Sequence, residues 1–196
     1  MNLKKKRIGI LGGSFDPAHN GHLAISKEAV KRFKLEKIIW AITKKNPFKI
    51  KSSLSLQSRI KGCKKIIKKN KFIEVKFYEN KIKSNKTINL INYFNKNKKN
   101  EIFFLMGADN LVNFHEWEKW QSIFHIISIV IFRRHGYNTN ALKSVAAKKF
   151  IHHKYIAQDI EHVSKKTPAW TLIQNKEIKI SSSEIRNQRN KLRGKY

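Results

Sequence analysis

The chain has 196 residues, of which 40% are hydrophobic, and its formal net charge is +30. This length suits one domain covering residues 1–196, and the hydrophobic share excludes global disorder. No apolar run approaches the roughly 20 residues that a membrane span needs. The single cysteine, Cys63, excludes an intramolecular disulfide. We therefore expect a cytoplasmic protein with no membrane partner.

The positive charge raises the alternative of a nucleic-acid-binding protein, since counterion release attracts basic proteins to polyanions. The basic residues, however, are mostly lysines spread along the chain among many Asn and Ile residues, as in the segment NKNKKN at 95–100. Codons rich in A and T encode these three residue types, so base composition explains much of the excess. We expect no specific nucleic-acid partner.

Short apolar runs alternate with amphipathic segments along the chain. In order, the pattern predicts strand 7–11, helix 21–33, strand 37–42, helix 54–69, strand 72–77, helix 87–97, strand 101–106, helix 116–124, strand 126–132, helix 140–150, strand 170–173 and helix 183–192. This alternation predicts an α/β fold: a Rossmann-like, doubly wound, mainly parallel sheet with helices on both faces. The residues after Leu11, Met106 and Phe132 should then face one crevice beyond the strand ends.

The segment GGSFDPAHNGH, at 12–22, follows the first predicted strand. Gly12 and Gly13 let the backbone turn sharply and approach a phosphate closely. The amides at the start of the next helix, with the positive end of its dipole, form an anion site. His19 and His22 lie three residues apart at that helix start, so both imidazoles can donate to the same anion.

This segment resembles the signature of the nucleotidyltransferase superfamily. More narrowly, it resembles the GGSFDPxHxGH signature of the bacterial nicotinate-nucleotide adenylyltransferases. The related pantetheine-phosphate adenylyltransferases usually carry Thr where this chain has His19. The resemblance implies that His19 and His22 are catalytic, and that ATP contacts both histidines together with Gly12, Gly13, Ser14 and Phe15.

A second segment, ISSSEIR at 180–186, lies near the other end of the chain. Ser181 and Glu184 have the spacing of a capping box, which predicts a helix start. Hydroxyls and free amides at a helix start, with a guanidinium one turn later, suit phosphate binding. The segment resembles the ISSTxIR motif of the same family, with Ser183 in place of Thr. By that resemblance Ser182, Ser183 and Arg186 bind the ATP phosphates, and Arg186 is the third catalytic residue.

Between these segments lies FLMGADNLVNFHEWEKW, at 104–120. A carboxylate just after a strand can accept both hydroxyls of a ribose. By resemblance, Gly107 and Asp109 meet the ribose of the adenylyl half, and Arg134 in RRHGY meets a phosphate. Trp117 and Trp120 are expected to share one helix face. Trp117 matches the position that stacks on the nicotinate ring, and Trp120 is expected to be a core residue.

Two weaker matches concern the acceptor. Lys49 in NPFK resembles a family lysine near the phosphates, and Thr87 in SNKTINL loosely matches the family segment that contacts the nicotinate carboxylate. Lys86 stands where an aromatic residue is usual, and Leu90 where Thr is usual. This segment is the one that should decide which acceptor is used.

Taken together, the resemblance implies transfer of the adenylyl group of ATP to nicotinate mononucleotide, giving nicotinate adenine dinucleotide and pyrophosphate in NAD biosynthesis. Mg²⁺ would accompany ATP, and no metal site formed by the protein is expected. Nicotinamide mononucleotide and phosphopantetheine remain alternative acceptors. We expect a monomer or a small homo-oligomer.

Overall fold

Six parallel strands form one sheet in the computed structural model, which describes residues 5–44, 53–68, 70–156, 167–175 and 180–193. The strand order is β3-β2-β1-β4-β5-β6, and every neighbouring pair is parallel. All six predicted strands are confirmed, as is the doubly wound α/β fold. The strands are β1 (Lys6–Gly13), β2 (Lys37–Ile42), β3 (Ile73–Lys76), β4 (Asn100–Gly107), β5 (Ser128–Phe132) and β6 (Trp170–Ile173).

Helices connect the strands. The described residues include α1 (Asn20–Phe33), α2 (Leu56–Ile67), α3 (Glu79–Ile82), α4 (Thr87–Asn95), α5 (Ala108–Val112), α6 (Trp120–Ile126), α7 (Asn138–Lys143), α8 (Val145–Lys149) and α9 (Ser182–Arg193). Two 3₁₀ turns cover Phe114–Glu116 and Ile151–His153. The four residues of α3 are too few to show a helical period, which is why the sequence did not predict it.

Each face of the sheet is covered by its own group of helices. Successive side chains of a strand point to opposite faces, and β4 shows this directly. Phe104 packs with residues of α4 to α8, whereas Phe103 and Leu105 pack with residues of α1 and α2. Because β4 is buried on both faces, it is almost entirely apolar.

Two predicted helices differ from the observed ones. Trp117 follows the 3₁₀ turn, and Lys119 has a left-handed backbone with φ of 51° before α6 begins. The prediction that Trp117 and Trp120 share one helix face is therefore wrong. The predicted helix 140–150 is interrupted at Ser144, whose hydroxyl accepts the amide of Ala147 at 3.2 Å and so starts α8. Serine hydroxyls often compete with the helix backbone in this way.

A buried hydrogen-bond chain joins α1 to β2 behind the histidine segment. The Ser26 hydroxyl donates to the His22 carbonyl oxygen at 2.9 Å and accepts from the Trp40 indole N–H at 2.8 Å. Ser26 and Trp40 are both fully buried. The position of His22 therefore depends on the packing between helix and sheet.

We expect Ser26→Ala to lower the free energy of unfolding by about 1–3 kcal/mol, because the indole N–H of Trp40 would be left buried without an acceptor. Urea unfolding followed by tryptophan fluorescence measures the change. Lys27→Ala, at an exposed position of the same helix, is the control and should change stability by less than about 0.5 kcal/mol. Equal effects of the two substitutions would contradict the role of Ser26.

Candidate functional site

The strand order reverses at β1, which lies between β2 and β4. Ligands bind at such a switch point in open α/β sheets. A cavity of about 200 Å³ opens there, and its lining includes backbone at the ends of β1 and β2. Its lining includes residues after β1 and after β4, such as Ser14 and Asn110, but none of the described residues after Phe132, so the predicted crevice is present only in part. Among the residues predicted to bind ligands, Gly12, Gly13, Ser14, Thr87 and Trp117 line it. The lining does not include His19, His22, Gly107, Asp109, Arg134, Ser182, Ser183 or Arg186.

The two histidines cap the start of α1 by reciprocal hydrogen bonds. Nδ1 of His19 accepts the backbone N–H of Gly21 at 3.1 Å, and Nδ1 of His22 accepts the backbone N–H of His19 at 3.2 Å. The ring centroids are 3.9 Å apart. This is a capping box in which imidazoles replace the usual hydroxyl and carboxylate. Two side chains expected to bind phosphate therefore also hold the helix start.

This arrangement defines the tautomer of each ring. Because Nδ1 accepts a hydrogen bond, a neutral ring carries its proton on Nε2, which remains a donor. His19 is only 6% exposed. Its burial, and secondarily the positive charge of Arg134, lower its pKa from 6.5 to about 4 despite the opposing charge of Glu184. At neutral pH His19 is therefore uncharged, with its proton on Nε2.

Close approach of polar side chains restricts which residues fit at two glycines of the site. A Cβ on Gly21 would lie 2.8 Å from Nδ1 of His19, the atom that accepts the Gly21 amide. A Cβ on Gly107 would lie 2.4 Å from Oδ1 of Asp109. Any larger residue would displace a polar side chain of the site at either position.

The segment 180–186 docks directly on the loop that precedes α1. The Ser182 hydroxyl donates to the carbonyl oxygen of Pro17 at 2.9 Å, and Nη1 of Arg186 donates to the carbonyl oxygen of Asp16 at 2.5 Å. Nη2 of Arg186 donates to the Ser183 hydroxyl at 2.8 Å. The structure thus brings together two motifs that lie about 165 residues apart in the chain.

Two predicted residues on neighbouring strands also meet. Nη1 of Arg134, after β5, donates to Oδ2 of Asp109, after β4, at 2.6 Å. The other carboxylate oxygen, Oδ1, is buried and accepts no hydrogen bond from the described residues. An unpaired buried carboxylate oxygen is costly, and a ligand hydroxyl would satisfy it.

The predicted acceptor residues, together with the aromatic residues Trp120 and Phe15, lie in different surroundings. Thr87 and Trp117 both line the cavity, and the Trp117 ring lies 4.8 Å from the Phe114 ring, centroid to centroid. Trp120 is half-buried and packs edge-on against Phe124 and Phe150 at the margin of the core, so it is not the fully buried core residue that was predicted. Phe15 is buried and stacks on Trp40 at 5.0 Å. Lys49 lies outside the described residues.

Comparison with known proteins identifies the family. The sequence model of the cytidylyltransferase-like family matches residues 10–188. A protein of Pelagibacter ubique named "Probable nicotinate-nucleotide adenylyltransferase" is 54% identical over 145 residues, covering 74% of this chain and 81% of that protein. This chain belongs to the nicotinate-nucleotide adenylyltransferases.

Other members and a solved structure agree over most of the chain. A protein of Agrobacterium fabrum with the same name is 34% identical and covers 92% of this chain and 97% of its own. The Plasmodium falciparum nicotinic acid mononucleotide adenylyltransferase complexed with NaAD shares the fold, with a TM-score of 0.66 and 21% identity. That match covers 93% of this chain and 83% of the other.

Two carboxylates of this adenylyltransferase site, those of Asp109 and Asp16, accept hydrogen bonds from protein groups. Asp109 pairs with Arg134, and Asp16 accepts from Ser53 and Leu54. Among the residues described, no three His, Cys, Asp or Glu side chains are grouped to hold a metal ion. In that same part of the chain, no helix has the length and apolar character to cross a bilayer.

Two buried residues of the adenylyltransferase site were missed by the sequence analysis. The Arg59 guanidinium, 2% exposed, donates to the carbonyl oxygens of Ser14 at 2.7 Å, Thr43 at 2.6 Å and Lys44 at 2.8 Å. Asp16, 1% exposed, accepts from the amide and hydroxyl of Ser53. A lone arginine in the lysine-rich helix α2 was the available signal for Arg59.

Cys63 is a fully buried free thiol one turn after Arg59. Burial raises its pKa to about 12, against the opposing effect of the Arg59 charge. The nearby lysines therefore do not activate the thiol. Cys63 is thus a small core residue and not an activated thiol.

We predict that His19 makes stability depend on pH between 6.5 and 4. The unfolded chain takes up a proton near pH 6.5, whereas the folded ring resists protonation down to about pH 4. The contribution of His19 to the free energy of unfolding is therefore fully present above pH 6.5, and up to about 3 kcal/mol of it is lost as the pH falls to 4. His19→Asn keeps a cap acceptor but does not titrate.

Urea unfolding of both proteins from pH 7 to pH 4 measures this difference. The free energy of unfolding of the unsubstituted chain should fall more steeply than that of His19→Asn. If the free energies of unfolding of the two proteins change equally with pH, the assignment of a buried, neutral His19 is wrong.

Proposed function

We propose that this chain transfers the adenylyl group of ATP to nicotinate mononucleotide, forming nicotinate adenine dinucleotide and pyrophosphate in NAD biosynthesis. An oxygen of the acceptor 5′-phosphate forms a bond to the α-phosphorus of ATP. The bond from that phosphorus to the bridging oxygen of the β-phosphate breaks, and pyrophosphate takes the electron pair. The attacking phosphate is already an anion, so the reaction requires no general base. The protein's task is alignment and stabilisation of charge.

The observation that carries this proposal is the docking of segment 180–186 on the loop before α1. It gathers the Nε2 donors of His19 and His22, the hydroxyls of Ser182 and Ser183 and the guanidinium of Arg186 around one stretch of backbone. We assign His19, His22 and Arg186 to catalysis, as hydrogen-bond donors to the phosphates that react. Neutral imidazole donors of this kind stabilise developing negative charge in other enzymes.

The two halves of the product have separate positions in this proposal. The free Oδ1 of Asp109 accepts a hydroxyl of the adenosine ribose, beside Gly107, and Arg134 contacts a phosphate of ATP. On the other side, Trp117 stacks on the nicotinate ring and Thr87 lies near its carboxylate. Gly12, Gly13, Ser14 and Phe15 form the loop floor beneath ATP, and Lys49 is assigned to the acceptor.

We propose that Mg²⁺ arrives bound to the ATP phosphates, where it neutralises part of their charge. We assign it to the nucleotide because, among the described residues, no three His, Cys, Asp or Glu side chains are grouped to hold it. Because ATP is a cytoplasmic nucleotide, we assign the enzyme to the cytoplasm, as a single domain that works as a monomer or small homo-oligomer. Nicotinate mononucleotide and ATP are its partners, with no specific nucleic acid.

We expect His22→Ala to lower turnover by about 10²–10⁴, the range lost when a positioned transition-state donor is removed. Pyrophosphate release at saturating ATP and acceptor measures this, with circular dichroism to show that the variant is folded. His125→Ala, at an exposed position away from α1, is the control and should keep full turnover. A folded His22→Ala variant with near-normal turnover would exclude His22 from catalysis.

An acceptor panel tests the substrate. With ATP and Mg²⁺ present, we expect kcat/KM for nicotinate mononucleotide to exceed that for nicotinamide mononucleotide by about tenfold to a hundredfold, since the two differ in one charged group. Phosphopantetheine should give no pyrophosphate. Activity confined to phosphopantetheine would overturn the proposed function, and equal efficiency on the two mononucleotides would show a dual-specificity enzyme.

A further inference from the structure

An ion pair crosses the acceptor side of the cavity. Nζ of Lys86 lies 3.1 Å from Oε2 of Glu118, and both residues line the cavity. Lys86 precedes Thr87, the first residue of α4, and Glu118 follows Trp117. The pair therefore joins the wall assigned to the nicotinate carboxylate to the wall assigned to its ring.

The charged side chains that line the cavity are mostly acidic, although the whole chain carries a net charge of +30. The lining residues include three carboxylates, those of Glu79, Glu116 and Glu118. Lys86 is the one cationic side chain among the described lining residues. An acceptor carboxylate entering this cavity is repelled by these acidic residues unless it reaches the ammonium group of Lys86.

Lys86 is also free to move to such a ligand. Its side chain is 49% exposed and that of Glu118 is 45% exposed, so their ion pair is weak and easily exchanged. Lys86 makes no side-chain cap to α4, and the first turn of α4 carries no acidic residue. Little holds the ammonium group at Glu118 if a second carboxylate arrives.

We propose that Lys86 is the residue that selects an acid over an amide in this chain, by leaving Glu118 to pair with the acceptor carboxylate. Glu118 holds the ammonium group in place while the cavity is empty. The uncharged amide of nicotinamide mononucleotide gains nothing from this exchange. This inference rests on the proposed function, and it assigns the specificity of that site to a side chain of this chain.

The substitution Lys86→Met tests the proposal, since Met keeps the length of the side chain and removes the charge. We expect kcat/KM for nicotinate mononucleotide to fall about tenfold, mainly through KM, while that for the amide changes by less than about twofold. Lys83→Met is the matched control, because Lys83 is exposed on the same segment and does not line the cavity. It should leave both values unchanged.

Glu118→Gln provides an independent test in the opposite direction. It removes the competing carboxylate, so kcat/KM for the acid should rise about threefold while that for the amide is unchanged. If the unsubstituted chain prefers the acid and neither substitution alters that preference, Lys86 does not select the acceptor and the proposed function stands. If the unsubstituted chain uses neither mononucleotide, the proposed function itself fails.

Discussion

The site depends on how the first amides of α1 are satisfied. A helix start leaves backbone N–H groups without partners, and here Nδ1 of His19 and Nδ1 of His22 accept two of the N–H groups at this helix start. Each ring is thereby oriented by the helix that it caps, and its second nitrogen remains a donor. The hydrogen bonds that satisfy the helix start also orient the imidazoles, and the His22 ring contacts the rings of Phe15 and Trp40 as well. Substrate binding thus requires little reorganisation of these donors.

A loop held from several directions supports this cap. Arg186 and Ser182 donate to the carbonyl oxygens of Asp16 and Pro17, while the Asp16 carboxylate accepts from Ser53 and Leu54. The loop therefore receives hydrogen bonds from α9 and from the approach to α2. Since these contacts span most of the chain, the histidine segment and segment 180–186 come together only in the folded chain. Isolated motifs of this protein would have no fixed arrangement.

The sequence was sufficient where a pattern is local. Alternation of apolar runs predicted all six strands, and the spacing of His19 and His22 predicted that both lie at one helix start. It was insufficient where the outcome depends on backbone geometry or on distant partners. The left-handed Lys119 separates Trp117 from α6, and the Ser144 hydroxyl interrupts a helical period. The partners of Arg59 are carbonyl oxygens on two strand ends, which no side-chain pattern records.

Arg59 also affects which substitutions the chain tolerates. Its guanidinium donates hydrogen bonds to the main-chain carbonyl oxygens of Ser14, Thr43 and Lys44 rather than to their side chains. Every residue type presents the same carbonyl oxygen, so the spacing that Arg59 gives the strand ends does not depend on the side chains at these three positions. Side chains at the rim of the cavity can therefore differ without changing the backbone hydrogen bonds that hold its wall. A family built in this way can change the residues that face a substrate without rebuilding the wall behind them.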